Sequence, residues 1–189
     1  MLRDFKTALA ACLATFVISS AVYPAVVWAG ARLLFPWRAQ GSLIERADRT
    51  VIGSALIAQG FKSPRYFHPR PSAVDYKADA AGGSNLASTN PQLAELAAGQ
   101  AVGEGATADH PAPVDLVSRS GSGLDPDISV EAARFQIDRI AAARGGGASS
   151  IAALIDKHIN VSGWILGAPP RVNVLELNLA LDAKEADRE

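Results

Sequence analysis

Hydrophobic and polar positions divide the chain into two unlike parts. From Thr7 to Ala31 there is no charged residue, and the run exceeds the roughly 20 residues a helix needs to cross a bilayer. After Trp37 the apolar runs are short and are broken by charges, glycines and prolines. Leu43-Ile44 and the β-branched stretch from Val51 to Ile57, interrupted by Gly53, predict a strand pair or a strand edge. Asn90-Pro91 predicts a helix start, with asparagine as cap and proline in the first turn. That helix runs towards Val102 with Leu93, Leu96 and Ala97 inward. Pro111-Ala112-Pro113 predicts an extended course for Val114 to Val117. Ser129 caps the strongest helix, which keeps Val130, Ala133, Ile137, Ile140 and Ala141 on one face and closes at Arg144 and Gly145. Past a Gly146-Gly147 hinge, a second helix starts near Ser149 or Ser150 and sets Ile151, Leu154, Ile155 and Ile159 at helical spacing. The apolar stretch 172–181 fits both periods poorly, so its type stays open. The fold class is α+β: a single N-terminal transmembrane helix followed by one compact mixed α/β soluble domain. The predicted division is a short tail at 1–7, the transmembrane helix at 8–34 and the soluble domain at 38–189.

The far end of the span carries Trp28, Phe35 and Trp37, rings that settle among lipid headgroups. Ala29-Gly30-Ala31 could pass for a signal-peptidase site, but the apolar core of a signal peptide runs about 7–15 residues, which favours a retained helix here. Ala21, Ala25 and Ala29 recur every four residues and form a small-residue stripe for packing a second helix. Pro24 removes a backbone donor, which predicts a bend and a free Ser20 carbonyl. Arg3 and Lys6 precede the span while Arg32, Arg38, Arg46 and Arg49 follow it, so charge leaves the orientation open.

Composition then removes whole classes of function. With 189 residues, 49% hydrophobic, 20% charged and a net charge of −1, the chain is neither disordered nor a basic nucleic-acid binder. The mean hydropathy of +0.12 is raised by the N-terminal run, so the rest has the make-up of an ordinary soluble domain. Its one cysteine, Cys12, excludes an intramolecular disulfide and a zinc site built on several thiolates. His68, His110 and His158 lie far apart without ligand spacing, and no metal site is predicted.

Ser120 and Ser122 depart from the nucleophile elbow, because Ser120 stands where the pattern needs glycine. A membrane-anchored hydrolase is the weakest reading, and no catalytic residue is assigned. The Gly/Ser loop could cradle a phosphate on its backbone N–H groups, yet the P-loop lysine and the G-x-G-x-x-G spacing are both missing. A tightly turned connector explains it more simply. Asp125 and Asp127 would repel phosphate and attract a cation, without the spacing of an EF-hand. Arg70, between Pro69 and Pro71, sits on a largely preset backbone and suits a bidentate contact to a carboxylate, inside the domain or on a partner. Gly82-Gly83-Ser84-Asn85-Leu86 is a tight turn with a polar tip.

Taken in order, these motifs resemble the C-subunit family (KdpC) of Kdp potassium-transporting P-type ATPases. The resemblance rests on Gly53-Ser54-Ala55-Leu56-Ile57 through Gln59 and Phe61, and on Tyr66-Phe67 with Arg70-Pro71-Ser72-Ala73. It continues with Gly82 to Leu86, Pro113 to Val117, and Ser120 to Pro126 with Ile128-Ser129. Ala133, Gln136, Arg139, Ala141 and Ala143-Arg144 follow, then Arg171 to Leu175 with Leu177-Asn178-Leu179. Nearly the whole chain is covered, the span included. The 101–109 stretch matches poorly, and Ser118-Arg119 stands where the family usually has Thr and a small residue.

The resemblance implies an accessory, non-hydrolysing subunit of an ATP-driven, high-affinity potassium importer, passing once through a bacterial inner membrane. The implied partners are a channel-like potassium-translocating subunit, a P-type ATPase subunit and a small single-span subunit; no nucleic acid is involved. Potassium is the transported ion, and no cofactor is bound tightly. The family is described as a catalytic chaperone that raises the ATP affinity of the ATPase subunit. In that proposal ATP meets Gln136 and the loop of Ser120, Gly121, Ser122 and Gly123. The resemblance also implies a domain outside the cytoplasm, capping the potassium entrance, whereas ATP is inside. Both hold only if the effect is indirect. The loop, with Arg70 and Asn85, then becomes a partner contact, and Asp125 and Asp127 attract potassium weakly. The alternative, a direct nucleotide-binding module, needs a cytoplasmic domain.

Overall fold

The uncharged run is helical. In the computed structural model, which describes residues 1–46 and 48–186, Leu2–Leu34 forms a 33-residue helix long and apolar enough to cross a membrane. The helix takes in most of the stretch predicted as a tail. Pro24 is absorbed by a change of pitch rather than a simple kink. α1 (Leu2–Val17) passes into a π-helical turn (Ile18–Val22) and then α2 (Tyr23–Leu34). The N–H of Tyr23 reaches back five residues to the Ile18 carbonyl, the wide turn that commonly relieves crowding of this kind. Thr15 and Ser19 return their hydroxyls to Ala11 and Thr15 carbonyls at 2.9 and 2.6 Å, so neither adds an unpaired donor to an apolar helix. Of the alanine stripe, Ala21 and Ala25 are exposed and Ala29 is half-buried.

Contacts divide the chain into two units, Met1–Ile52 and Gly53–Glu189. The first also holds α3 (Pro36–Ala39) and β1 (Leu43–Glu45). β1 pairs with β2 (Val51–Ser54), as predicted.

The second unit carries α4 (Pro91–Gly103), α5 (Val114–Val117), β3 (Asp127–Ser129), α6 (Val130–Phe135), α7 (Ile137–Arg144), α8 (Ala148–Lys157), β4 (Arg171–Asn173) and α9 (Val174–Ala186). β3 and β4 are antiparallel, with Ile128 opposite Val172. Phe67, Leu116, Ile140, Ile155 and Leu177 are fully buried in one apolar cluster. Ile151, Leu154 and Ile155 of α8 join it from one helical face, as their spacing requires. Asn90 caps α4 by accepting from the Gln92 N–H at 2.9 Å. Leu93, Leu96 and Ala97, with Ala101, are its half-buried positions.

Three expectations change. Val114 to Val117 is a single helical turn, α5, not an extended segment. Pro113 is itself extended (φ −57°, ψ 150°), but a proline constrains itself and the residue before it, not those that follow. The turn points Leu116 into the core. The predicted helix after Ser129 is interrupted at Gln136 (φ −85°, ψ −5°), which separates α6 from α7. The undecided 172–181 stretch divides between a strand and a helix. Asn173 marks the change, its side chain accepting from the Glu176 N–H at 3.1 Å. A run that changes element partway averages to neither period.

Candidate functional site

The segment from Tyr66 to Ser72 is the axis of the site. Two amide side chains grip consecutive residues of it. Asn178, on α9, accepts from the Phe67 N–H at 2.8 Å and donates to the Phe67 carbonyl at 3.0 Å. Gln136 does the same for His68, accepting from its N–H at 2.7 Å and donating to its carbonyl at 3.2 Å. Each amide supplies the donor–acceptor pair that a neighbouring strand would offer. Gln136 also donates to the Ala132 carbonyl at 3.2 Å and accepts from Arg139. Both amide hydrogens and both carbonyl lone pairs are therefore engaged, in a residue only 1% exposed.

Around this clamp lies a half-buried polar cluster. Glu104, just past the end of α4, meets His68 Nδ1 at 2.7 Å and Arg139 at 3.7 Å. The other ring nitrogen of His68 faces the Ser63 carbonyl at 3.2 Å. Arg139 also donates to the Pro64 and Tyr66 carbonyls at 2.9 and 3.0 Å. Burial draws the Arg139 pKa down, with Glu104 opposing. The Tyr76 phenol is pushed up to about 12, first by burial and then by the Glu104 and Asp75 carboxylates. Glu104 thus ties the α4 excursion to the rest of the unit, together with His110, which stacks on Phe135 at 4.6 Å.

The Gly/Ser loop is held by the other end of the axis. The Ser120 N–H donates to the Pro71 carbonyl at 2.9 Å. Its hydroxyl, in a residue 3% exposed, accepts from the Gly123 N–H at 3.1 Å and the Asp125 N–H at 3.3 Å. Gly82 donates to the Ser122 carbonyl at 2.7 Å, so the two glycine-containing turns are each other's partners. Gly123 has φ 71°, and a Cβ there would lie 2.7 Å from the Gly82 carbonyl oxygen. Arg70 pairs with Asp125 at 3.0 Å and approaches Asp115 at 3.9 Å. Its preset backbone thus serves a carboxylate inside the domain. Gly121 and Ser122 are exposed, as is Asn85 at the rim of its turn.

Asp125 and Asp127 border a cleft of about 390 Å³ that also includes Arg70, Asp115 and Arg171. Each of the two carboxylates has an arginine, Asp127 pairing with Arg171 at 2.8 Å. Burial raises the Asp127 pKa while Arg171 opposes the rise. Among the described residues no group of His, Cys, Asp or Glu is arranged to hold a metal ion.

The structure therefore does not bring all candidate residues to one point. Gln136 binds His68, the 120–125 loop binds Arg70 and Pro71, and both sets meet the same short segment. Glu104 and Tyr76 escaped the sequence reading, Glu104 because it lies in the weakly matching 101–109 stretch. Asn178 left a usable signal, a lone amide inside an apolar run.

The class of protein so defined is an α+β unit of interlocked loops on a chain with, among the described residues, one membrane-length helix. The family described as K+-transporting ATPase, c chain (KdpC) matches residues 5–183. A potassium-transporting ATPase KdpC subunit from Parvibaculum lavamentivorans is 47% identical over 184 residues, covering 97% of this chain and 98% of the relative. One from Rhodopseudomonas palustris is 46% identical over 97% of this chain and 98% of its own length. One from Myxococcus xanthus is 43% identical, over 97% and 90%. The chain belongs to the KdpC family, subunits of the potassium-transporting ATPase.

Proposed function

We propose that the chain is the non-hydrolysing accessory subunit of an ATP-driven potassium uptake complex in a bacterial inner membrane. It assembles with a channel-like subunit, a P-type ATPase subunit and a small single-span subunit. In this reading it raises the ATP affinity of the ATPase subunit indirectly, from a domain outside the cytoplasm that caps the potassium entrance. The observation that carries the indirect route is Gln136, whose amide has no hydrogen-bonding position left for a nucleotide. Direct contact with ATP would first have to release His68. The exposed rim of Gly121, Ser122 and Asn85 is the partner-facing part of the loop pair, and Ala21, Ala25 and Ala29 pack the helix against a partner span. Asp115, Asp125 and Asp127 set against Arg70 and Arg171 leave the cleft one negative charge, enough to favour cations weakly at its mouth.

Protease added outside intact spheroplasts tests this. Digestion beyond Arg38 is expected; protection would place the domain inside and favour the direct nucleotide-binding module. In the digestible case, complexes purified without this subunit should show a raised KM for ATP, and an unchanged KM would remove the chaperone role.

A further inference from the structure

The loop between His158 and Arg171 borders the acidic cleft only at its base, through Pro169 and Pro170. It carries no charged residue. Its base is built: the backbones of Asn160 and Arg171 exchange two hydrogen bonds, at 2.8 and 3.1 Å. Ser162 donates to the Asn160 side chain at 2.8 Å, and Arg171 reaches the Ser162 carbonyl at 3.3 Å. Gly163 (φ 91°) and Gly167 (φ 80°) bracket a 3₁₀ turn, Trp164–Leu166. The Leu166 and Ala168 N–H groups both return to the Gly163 carbonyl, at 2.8 and 3.2 Å. The outcome is a hydrogen-bonded tip on which Val161, Ile165 and Leu166 are 54%, 79% and 91% exposed. Isolated surface aliphatics are ordinary. Three on one charge-free, internally bonded loop form a patch made for contact.

The geometry points to a lipid surface as the occupant: the 163–167 tip enters the interfacial region of the bilayer. Hydrocarbon offers no hydrogen bonds, so a segment entering it must satisfy its own backbone. Within the tip the Leu166 N–H is already paired, and the flanking Ser162 and Ala168 N–H groups are paired within the loop as well. A tryptophan between small and aliphatic neighbours is the composition that interfaces favour. Exposed Lys157, just before the loop, complements anionic headgroups. The chain also supplies the surface, because its membrane-length helix keeps a bilayer at high effective concentration around the tethered domain. The proposal rests on that span alone. It holds on either side of the membrane and does not require the uptake-complex role.

The test uses the full chain with Trp28→Phe and Trp37→Phe, which leaves Trp164 as the one tryptophan of three. The protein is reconstituted without other subunits into vesicles of phosphatidylcholine and phosphatidylglycerol. Insertion of about 5–10 Å should make lipids brominated near the headgroup quench Trp164 at least about twofold, more than lipids brominated near the chain end. Adding Ile165→Ser and Leu166→Ser should abolish that quenching. Emission indifferent to bromination overturns the proposal. So does a tip shielded from aqueous iodide only in the assembled complex, which would make its occupant a partner subunit. Should the tryptophan replacements disturb folding, a bimane label on Leu166→Cys in a Cys12→Ser chain gives the same readout.

Discussion

Replacing Gln136 tests the clamp directly. Gln136→Ala removes four hydrogen bonds at once and leaves the N–H and carbonyl of His68 unpaired in a half-buried setting. A buried polar group without a partner costs about 1–3 kcal/mol, so the two together cost about 2–6 kcal/mol. Partial access to water places the loss near about 3 kcal/mol. Whole domains are stable by only about 5–15 kcal/mol, so this is a large fraction. The unit Gly53–Glu189 should have an unfolding entropy of about 290 cal/mol/K from the usual scaling by chain length, so the loss lowers Tm by about 10 °C.

The assay is thermal unfolding of the detergent-solubilised chain, with hydrogen exchange at the His68 amide as a local probe. Gln136→Met separates the bonds from the volume, since methionine fills the same space without a hydrogen-bonding group. Methionine should cost nearly as much as alanine, and the His68 amide should lose its protection in both. A Gln136→Met chain within about 2 °C of the parent would refute the reasoning, because it would mean that the amide bonds contribute little.

Gly123→Ala meets both a positive φ and the Gly82 carbonyl oxygen at 2.7 Å, so it should separate the two turns and cost at least about 1–2 kcal/mol; an unchanged Tm would remove that packing argument. Glu104→Gln weakens the contacts to His68 and Arg139 and should speed amide exchange across α4 while moving the global Tm less than Gln136→Ala does. Equal protection of α4 in both chains would show that Glu104 does not hold it. The Tyr76 pKa is raised above its unfolded value, so the folded state favours the neutral phenol. That contribution is complete below about pH 10 and is lost as pH rises towards about 12. Urea midpoints should fall over this window in the parent chain and fall less in Tyr76→Phe; parallel curves would contradict the assignment.

What was legible in the sequence was local. The membrane-length run, the Asn90 cap and the apolar face of α8 each depend on residues within a few positions of one another. The clamp made by Gln136 was not legible, because its partner is His68, 68 positions away. The same holds for Asn178 and Phe67, separated by 111. A hydrogen bond between distant segments leaves no period in either of them. What it does leave is a polar residue where an apolar one would fit, as at Asn178 among leucines and alanines. Seen this way, the ordered motifs are halves of interlocking pairs: 66–68 with Gln136 and Asn178, 70–71 with 120–125, Gly82 with Ser122. Residues used up in holding the fold are poorly placed to recognise anything else. Under the docking reading, recognition therefore falls to groups at the edges of the motifs or outside them, such as Asn85, the Gly121 backbone and the Ile165-Leu166 tip, which lie exposed at the surface.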